Sequence, residues 1–207
     1  MENKEISYEI IDFSGETNVQ FRTSVDPGSY IPTHWHRAIE IIYMQEGSLD
    51  VIVESESFTI YKGDCILVNG NVLHSTKCTA PNTAILLQIP LNFMEKYIPN
   101  LGQLIFLWDY RTEDPVKKTK LMMLKTTLEQ LQVINDIQPD GYLLRFNSLI
   151  FELMFQLYHN FSVQVFPQDI NHKKKEMDRL DPVLNYIAEH YNCLLYTSPS
   201  PRDISGS

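Results

Sequence analysis

The stretch GSYIPTHWHRAIEIIYMQEG, residues 28–47, sets two histidines, an acid and a β-branched run between two glycines. On a strand, alternate residues share a face, so His34, His36 and Glu40 are expected to point one way and Trp35, Ile39 and Ile41 the other. Two imidazoles and a carboxylate on one inner face make a cavity wall able to hold a divalent ion. Iron, manganese, nickel or zinc all suit such a set, with positions left open for a ligand or oxygen. His74 lies 38 residues past His36, in GDCILVNGNVLH at 63–74, where a neighbouring strand could bring a fourth donor to the same point.

Around this stretch, from Val19 to Pro90, short apolar runs alternate with turn residues, the pattern of an antiparallel sandwich or barrel. The candidate strands are Val19–Asp26, Ala38–Gln45, Ser48–Val53, Phe58–Tyr61, Asp64–Val68, Val72–Lys77 and Thr83–Ile89. Turns are expected at Asp26-Pro27-Gly28, Glu46-Gly47-Ser48, Lys62-Gly63-Asp64 and Asn69-Gly70-Asn71, each with a residue that tolerates positive φ. Seven or eight strands at this spacing predict a mainly β jelly-roll barrel. By parity and position, Arg22, Tyr30, Ile42 and Met44 are candidates to line its cavity. Arg22 suits an acidic or hydroxylated ligand, and the other three suit an apolar wall. A solvated Arg22 and plain core at the rest are the competing readings.

Beyond Pro90 the pattern turns helical. A short helix is expected at Asn92–Tyr97, before Pro99. A longer one at Val116–Asn135 carries Leu121, Leu124, Leu128 and Leu131 on one seam. Another, at Tyr142–Asn160, is set off by Pro139-Asp140-Gly141. Leu143, Phe146, Ile150, Leu153 and Leu157 form its first stripe, and Leu149, Phe151, Met154, Phe155 and Tyr158 widen it. A helix that apolar needs cover on two sides. The second cover is either the chain's own core or another copy of the protein, with Leu149, Phe151 and Phe155 at the dimer interface.

Residues 1–90 hold 5 basic against 12 acidic side chains in a chain of net charge −9, a balance that repels phosphate and argues against a nucleic-acid surface here. No stretch approaches the ~18–20 uncharged apolar residues of a membrane helix, and the charged opening MENKEISYEI is unlike a signal peptide. These features predict a cytoplasmic protein without a membrane partner. Cys65, Cys78 and Cys193 form no CxxC pair, which argues against a disulfide framework or a thiolate zinc site. His159, His172 and His190 have no partners at ligand spacing.

Gly28, His34, His36, Glu40 and Gly47 match every anchor of the first motif of the cupin superfamily. Gly63 and His74 fit its second motif, whereas Asn69 stands where proline is usual, Asn71 where glycine is, and Cys78 where asparagine often is. Asparagine at 71 still satisfies a left-handed turn. With the helix pair and DPVLNYIAEHYN at 181–192, residues 15–192 resemble the AraC-type bacterial transcription regulators. The resemblance implies a cupin effector-binding barrel at 1–90 and a helical dimerisation annex at 91–166. It also implies a linker and the first helix of a helix-turn-helix domain at 167–192. CLLYTSPSPRDISGS, 193–207, resembles adapter read-through and is expected to be a non-native tail replacing the DNA-reading helices.

For function, the resemblance implies a non-enzymatic sensor. A small-molecule effector, a sugar being one candidate, occupies the barrel of a homodimer, and DNA is reached only through the missing C-terminal part. In such regulators no metal is required. His34, His36, Glu40 and His74 are then either a metal site or a polar pocket floor whose His–Glu hydrogen bonds help hold the ligand. The rival reading is a metal-dependent cupin dioxygenase or isomerase using the same four residues. It leaves the helices unexplained.

Overall fold

In the computed structural model, residues 6–11, 13 and 16–165 are described. The expected linker and first helix at 167–192, the tail at 193–207, Cys193, His172 and His190 lie outside them. The described residues up to Gln164 belong to one compact unit. Its strands are β1 Ser7–Tyr8, β2 Gln20–Asp26, β3 Tyr30–Trp35, β4 Ala38–Glu46, β5 Ser48–Val53, β6 Glu56–Tyr61, β7 Cys65–Val68, β8 His74–Lys77 and β9 Asn82–Pro90. They form two facing sheets, β1-β3-β8-β5-β6 and β2-β9-β4-β7, the expected jelly roll.

Strand β4 is buried from Ala38 to Ile42 without alternation, because both of its faces are covered. Inward, Ile42 and Met44 meet Val51, Ile60, Ile66 and Ala84 to fill one end of the barrel. Outward, Ile39 and Ile41 join Ile85, Leu87 and Ile89 in a second core built with the helices. These are α1 Leu91–Met94, α2 Pro115–Ile137 and α3 Tyr142–Gln156, which runs on into a π-helical turn at Leu157–Phe161. The expected seam holds, since Leu121, Leu124, Leu128 and Leu131 are all buried.

Helix α2 starts where Asp114 accepts from the Val116 and Lys117 amides with Pro115 at the first helical position. It stops at Gln138, in left-handed conformation ahead of Pro139. Tyr43 Oη donates to Glu129 (2.8 Å), and Gln132 Nε2 donates to Thr23 Oγ1 (2.8 Å), fixing α2 on the sheet. No helix among the described residues is long and apolar enough to cross a membrane.

The structure corrects several expectations. Residues 34–40 are not one strand: β3 ends at Trp35 in one sheet and β4 begins at Ala38 in the other, so the chain bends at His36-Arg37. Leu149 is 3% exposed inside the chain's own core, so it is not an accessible interface residue, whereas Phe151 and Phe155 are 40% and 58% exposed. Short pairings escape the period-2 pattern: β1 runs parallel to β3, and β10 Leu104–Phe106 pairs antiparallel with β11 Ser162–Gln164. The helix expected to reach Tyr97 ends at Met94. Cys65 and Cys78 are free and buried; burial pushes the Cys65 thiol up to about 12, which keeps it protonated.

The turn glycines differ in what surrounds them. Gly47 has φ +78°, and a Cβ there would sit 2.8 Å from the Pro81 carbonyl oxygen, while Gly63, at φ +89°, faces open space. Gly63→Ala is expected to cost only the left-handed strain, about 1–2 kcal/mol. Gly47→Ala must also displace backbone and should lower the urea midpoint distinctly further, which equilibrium unfolding of the two variants measures.

Candidate functional site

Four buried polar side chains meet where the two sheets are joined. His34 lies next to last on β3 beside a register shift at Ile31/His34, where Pro32 lacks the amide a ladder needs. His36 occupies the bend, Glu40 lies on β4, and His74 opens β8 opposite His34. Their relative exposures are 7%, 1%, 5% and 1%. The imidazole centroids are 4.1 Å apart for His34–His74, 4.9 Å for His36–His74 and 5.8 Å for His34–His36. The expected convergence therefore exists, but the sheet-changing bend produces it rather than the parity of a single strand.

Each ring is held by its Nδ1 on a main-chain carbonyl: His34 on Pro32 (2.9 Å), His36 on Ala38 (3.1 Å) and His74 on Val72 (2.9 Å). A carbonyl oxygen only accepts, so all three Nδ1 atoms carry a proton, and in the neutral rings all three Nε2 atoms turn lone pairs to the centre. One ligand atom from each ring lies within 4.8 Å of the others. His74 Nε2 is buried without a hydrogen-bond partner. His36 Nε2 and Glu40 Oε2, two acceptors in this tautomer, stand 3.1 Å apart, a separation that repels unless a proton or a cation lies between them. Glu40 Oε1 is 3.8 Å from His74 Nε2. The orphaned nitrogen, the pinned tautomers and the acid beside them fit a divalent ion with imidazole and carboxylate ligands.

Burial raises the Glu40 carboxyl, but a proton lying between it and His36 Nε2, the charge that His74 and His36 carry when protonated and the Gln88 amide together outweigh it, leaving it below the ordinary range. Burial dominates at His74 and lowers its pKa, which favours the neutral form that ligates metal.

Two residues of the site lie beyond the sequence reading. Gln88 on β9 pairs with Glu40 across the sheet and donates from Nε2 to Glu40 Oε2 at 2.7 Å. It is the lone polar residue in AILLQIP, and that interruption is the available signal. Glu9, beyond β1, brings Oε2 to 3.5 Å from His34 Nε2 and 3.9 Å from His36 Nε2. No local pattern marks it.

The other candidates divide. Arg22 pairs with Leu86, which pairs with Ile42, so it lies on the inward row next to the Gln20-Gln88-Glu40 row and is exposed. Tyr30 shares the Lys77-Asp50 row while the Thr76-Val51 row faces inward, so it points outside the barrel and does not line the cavity. Ile42 and Met44 are 4% and 0% exposed and serve as packed core. Asn71 takes the left-handed conformation, φ 65°. Asn69 receives the Phe106 amide on Oδ1 (3.0 Å) and donates from Nδ2 to the Phe106 carbonyl (2.8 Å), tying the site's rim to β10. Cys78 Sγ donates to the Ala80 carbonyl and receives Asn82 Nδ2, closing the turn before β9.

Residues 21–90 match the Cupin domain family, so the barrel has the cupin fold. The HTH-type transcriptional regulator YdeC of Bacillus subtilis (strain 168), itself uncharacterised, is 23% identical over 192 residues, covering 83% of this chain. The chain spans about 60% of the length of that relative. Similar solved structures include an RmlC-like cupin from Shewanella frigidimarina NCIMB 400 (23% identity, TM-score 0.33, covering 39% of this chain and 71% of that one). KdgF from Halomonas sp. is another (23% identity, TM-score 0.33, covering 35% and 69%).

In the presence of chelator the site makes stability depend on pH. Below the ordinary histidine value of 6.5 the unfolded chain takes up a proton that folded His74 refuses, so stability falls as pH drops from there. Glu40 stabilises fully above its ordinary 4.5 and loses that contribution as pH falls through its lower folded value. His74→Gln should remove the upper limb of a plot of urea midpoint against pH, and Glu40→Gln the lower. Gln88→Leu, which strips a donor from a buried carboxylate, should cost about 1–3 kcal/mol at neutral pH, measured by the same unfolding.

Proposed function

We propose that the chain is the small-molecule-sensing and dimerisation part of an AraC-type transcription regulator, with its ligand seated over His34, His36, Glu40 and His74. The observation that carries this reading is the extent of the likeness to YdeC: it spans 83% of the chain, whereas the cupin match covers residues 21–90. A lone barrel would serve an enzyme equally well. A barrel whose outer sheet shares its core with α2 and α3 suits a protein whose output lies beyond the barrel. The rival dioxygenase or isomerase reading gives those helices no task.

A divalent ion, iron, manganese, nickel or zinc, would be held by His34, His36 and His74 with Glu40, and when bound it supplies a Lewis-acidic anchor for an oxygen of the effector. The chain's own groups do the rest. Gln88 orients Glu40, the backbone carbonyls orient the imidazoles, and Arg22 on the adjacent inward row offers a bidentate donor to a hydroxylated or acidic effector such as a sugar or sugar acid. The effector shifts the balance between two arrangements of the helices by its differential affinity for them. DNA contact belongs to the helix-turn-helix part whose opening DPVLNYIAEHYN resembles.

The homodimer is assigned to the outer stripe of α3 and of the π-helical turn that continues it. Leu144, Phe151, Phe155 and Tyr158 succeed one another at intervals of seven, four and three residues and are 81%, 40%, 58% and 44% exposed. Such a row of large apolar side chains on one helix face fits a self-complementary partner surface.

Phe151→Asp combined with Phe155→Asp should convert the dimer to a folded monomer in sedimentation; a dimer that persists removes the assignment. Protein purified without chelator or nickel resin should carry close to one equivalent of divalent metal by elemental analysis, and His36→Ala should carry far less. Sugars and sugar acids screened by thermal shift should raise the melting temperature of the wild type more than that of Arg22→Ala. The sensor reading is abandoned if no effector is found and the metal-loaded protein instead turns over substrate.

A further inference from the structure

The imidazole triangle has two acids at its edges. Glu40 approaches His36 and His74 from the floor, where its side chain is 7% exposed. Glu9 approaches His34 and His36 from the open side, and its side chain is 43% exposed. Among the described residues the segment around Glu9 is joined to the barrel by few contacts. The Glu9 amide donates to the Trp35 carbonyl (2.9 Å), β1 contributes only the pairs Ser7–His34 and Tyr8–Trp35, and the Tyr8 and Trp35 rings lie 4.7 Å apart. A two-residue parallel pairing is weak by itself. Three lone pairs converging beside two carboxylates attract positive charge, and one divalent ion would neutralise both acids.

We infer that Glu9 is the outer ligand of the ion held by His34, His36, His74 and Glu40, so that the ion clamps the N-terminal strand onto β3. The inference rests on the metal reading of that site. Five protein donors leave little room at the ion, so an effector oxygen gains access by displacing the exposed carboxylate rather than the buried one. Occupancy of the pocket and docking of β1 then exclude one another.

The test is isothermal titration of metal-free full-length chain with Zn²⁺, together with amide exchange over residues 6–11. Wild type, Glu9→Gln and Glu56→Gln are compared, the last removing an acid that lies exposed on β6. Glu9→Gln should bind Zn²⁺ at least about tenfold more weakly, the scale on which even outer-shell partners act. Zn²⁺ should slow exchange of the Glu9 amide in the wild type and in Glu56→Gln but not in Glu9→Gln. Equal affinity and equal protection in Glu9→Gln and wild type overturn the inference while leaving the His34, His36, His74 and Glu40 centre intact. A wild type that takes up no Zn²⁺ removes that centre, and the inference with it.

Discussion

Three imidazole N–H groups given to three main-chain carbonyls constrain everything else at the site. Because Pro32, Ala38 and Val72 accept from Nδ1, the rings have no freedom of tautomer and little of rotation, and their Nε2 atoms face one another across a few ångströms. Such an arrangement is costly when nothing positive lies at its centre. It persists because the carbonyls belong to backbone inside β3, at the start of β4 and just ahead of β8, which the barrel itself holds in place.

That rigidity comes from packing on both faces of the β2-β9-β4-β7 sheet. On the inner face Ile42 and Met44 pack against Val51 and Ile60 of the facing sheet, and the outer face is sealed by α2 and α3. In this doubly covered sheet Gln88 donates from Nε2 to Glu40, which also faces His36 and His74, while Gln88 Oε1 is buried without a partner of its own. The helices are therefore part of what shapes the pocket floor, since removing them would expose the back of the strand that carries Glu40.

What the sequence makes legible depends on the range of the interactions involved. His34, His36 and Glu40 lie within seven residues of one another and Asn71 in a tight turn, so local rules place them. The barrel, the helix seam at Leu121 to Leu131 and the inward row of Arg22 emerge from period alone. The bend at His36-Arg37 is hidden because two short strands in register with different sheets look like one longer strand. Parity points Tyr30 inward, but the register shift between Ile31 and His34 resets the parity of β3 and turns it out. Leu149 reads as an interface residue because a helix stripe gives the width of an apolar face but not which half a neighbour covers. Glu9 depends on a two-residue parallel contact between distant segments, and single-chain periodicity contains no trace of it.

The Asn69 side chain makes both hydrogen bonds that a strand neighbour would offer Phe106, and the next turn residue but one, Asn71, gives its amide to the His36 carbonyl (2.8 Å). One short loop is thus bolted at one end to a histidine of the pocket and at the other to the ribbon of β10 and β11. Neither end can slide without dragging its counterpart or surrendering paired backbone groups. Kinematically, pocket rim and ribbon count as one link, and whatever play this molecule possesses has to be found at its other joints.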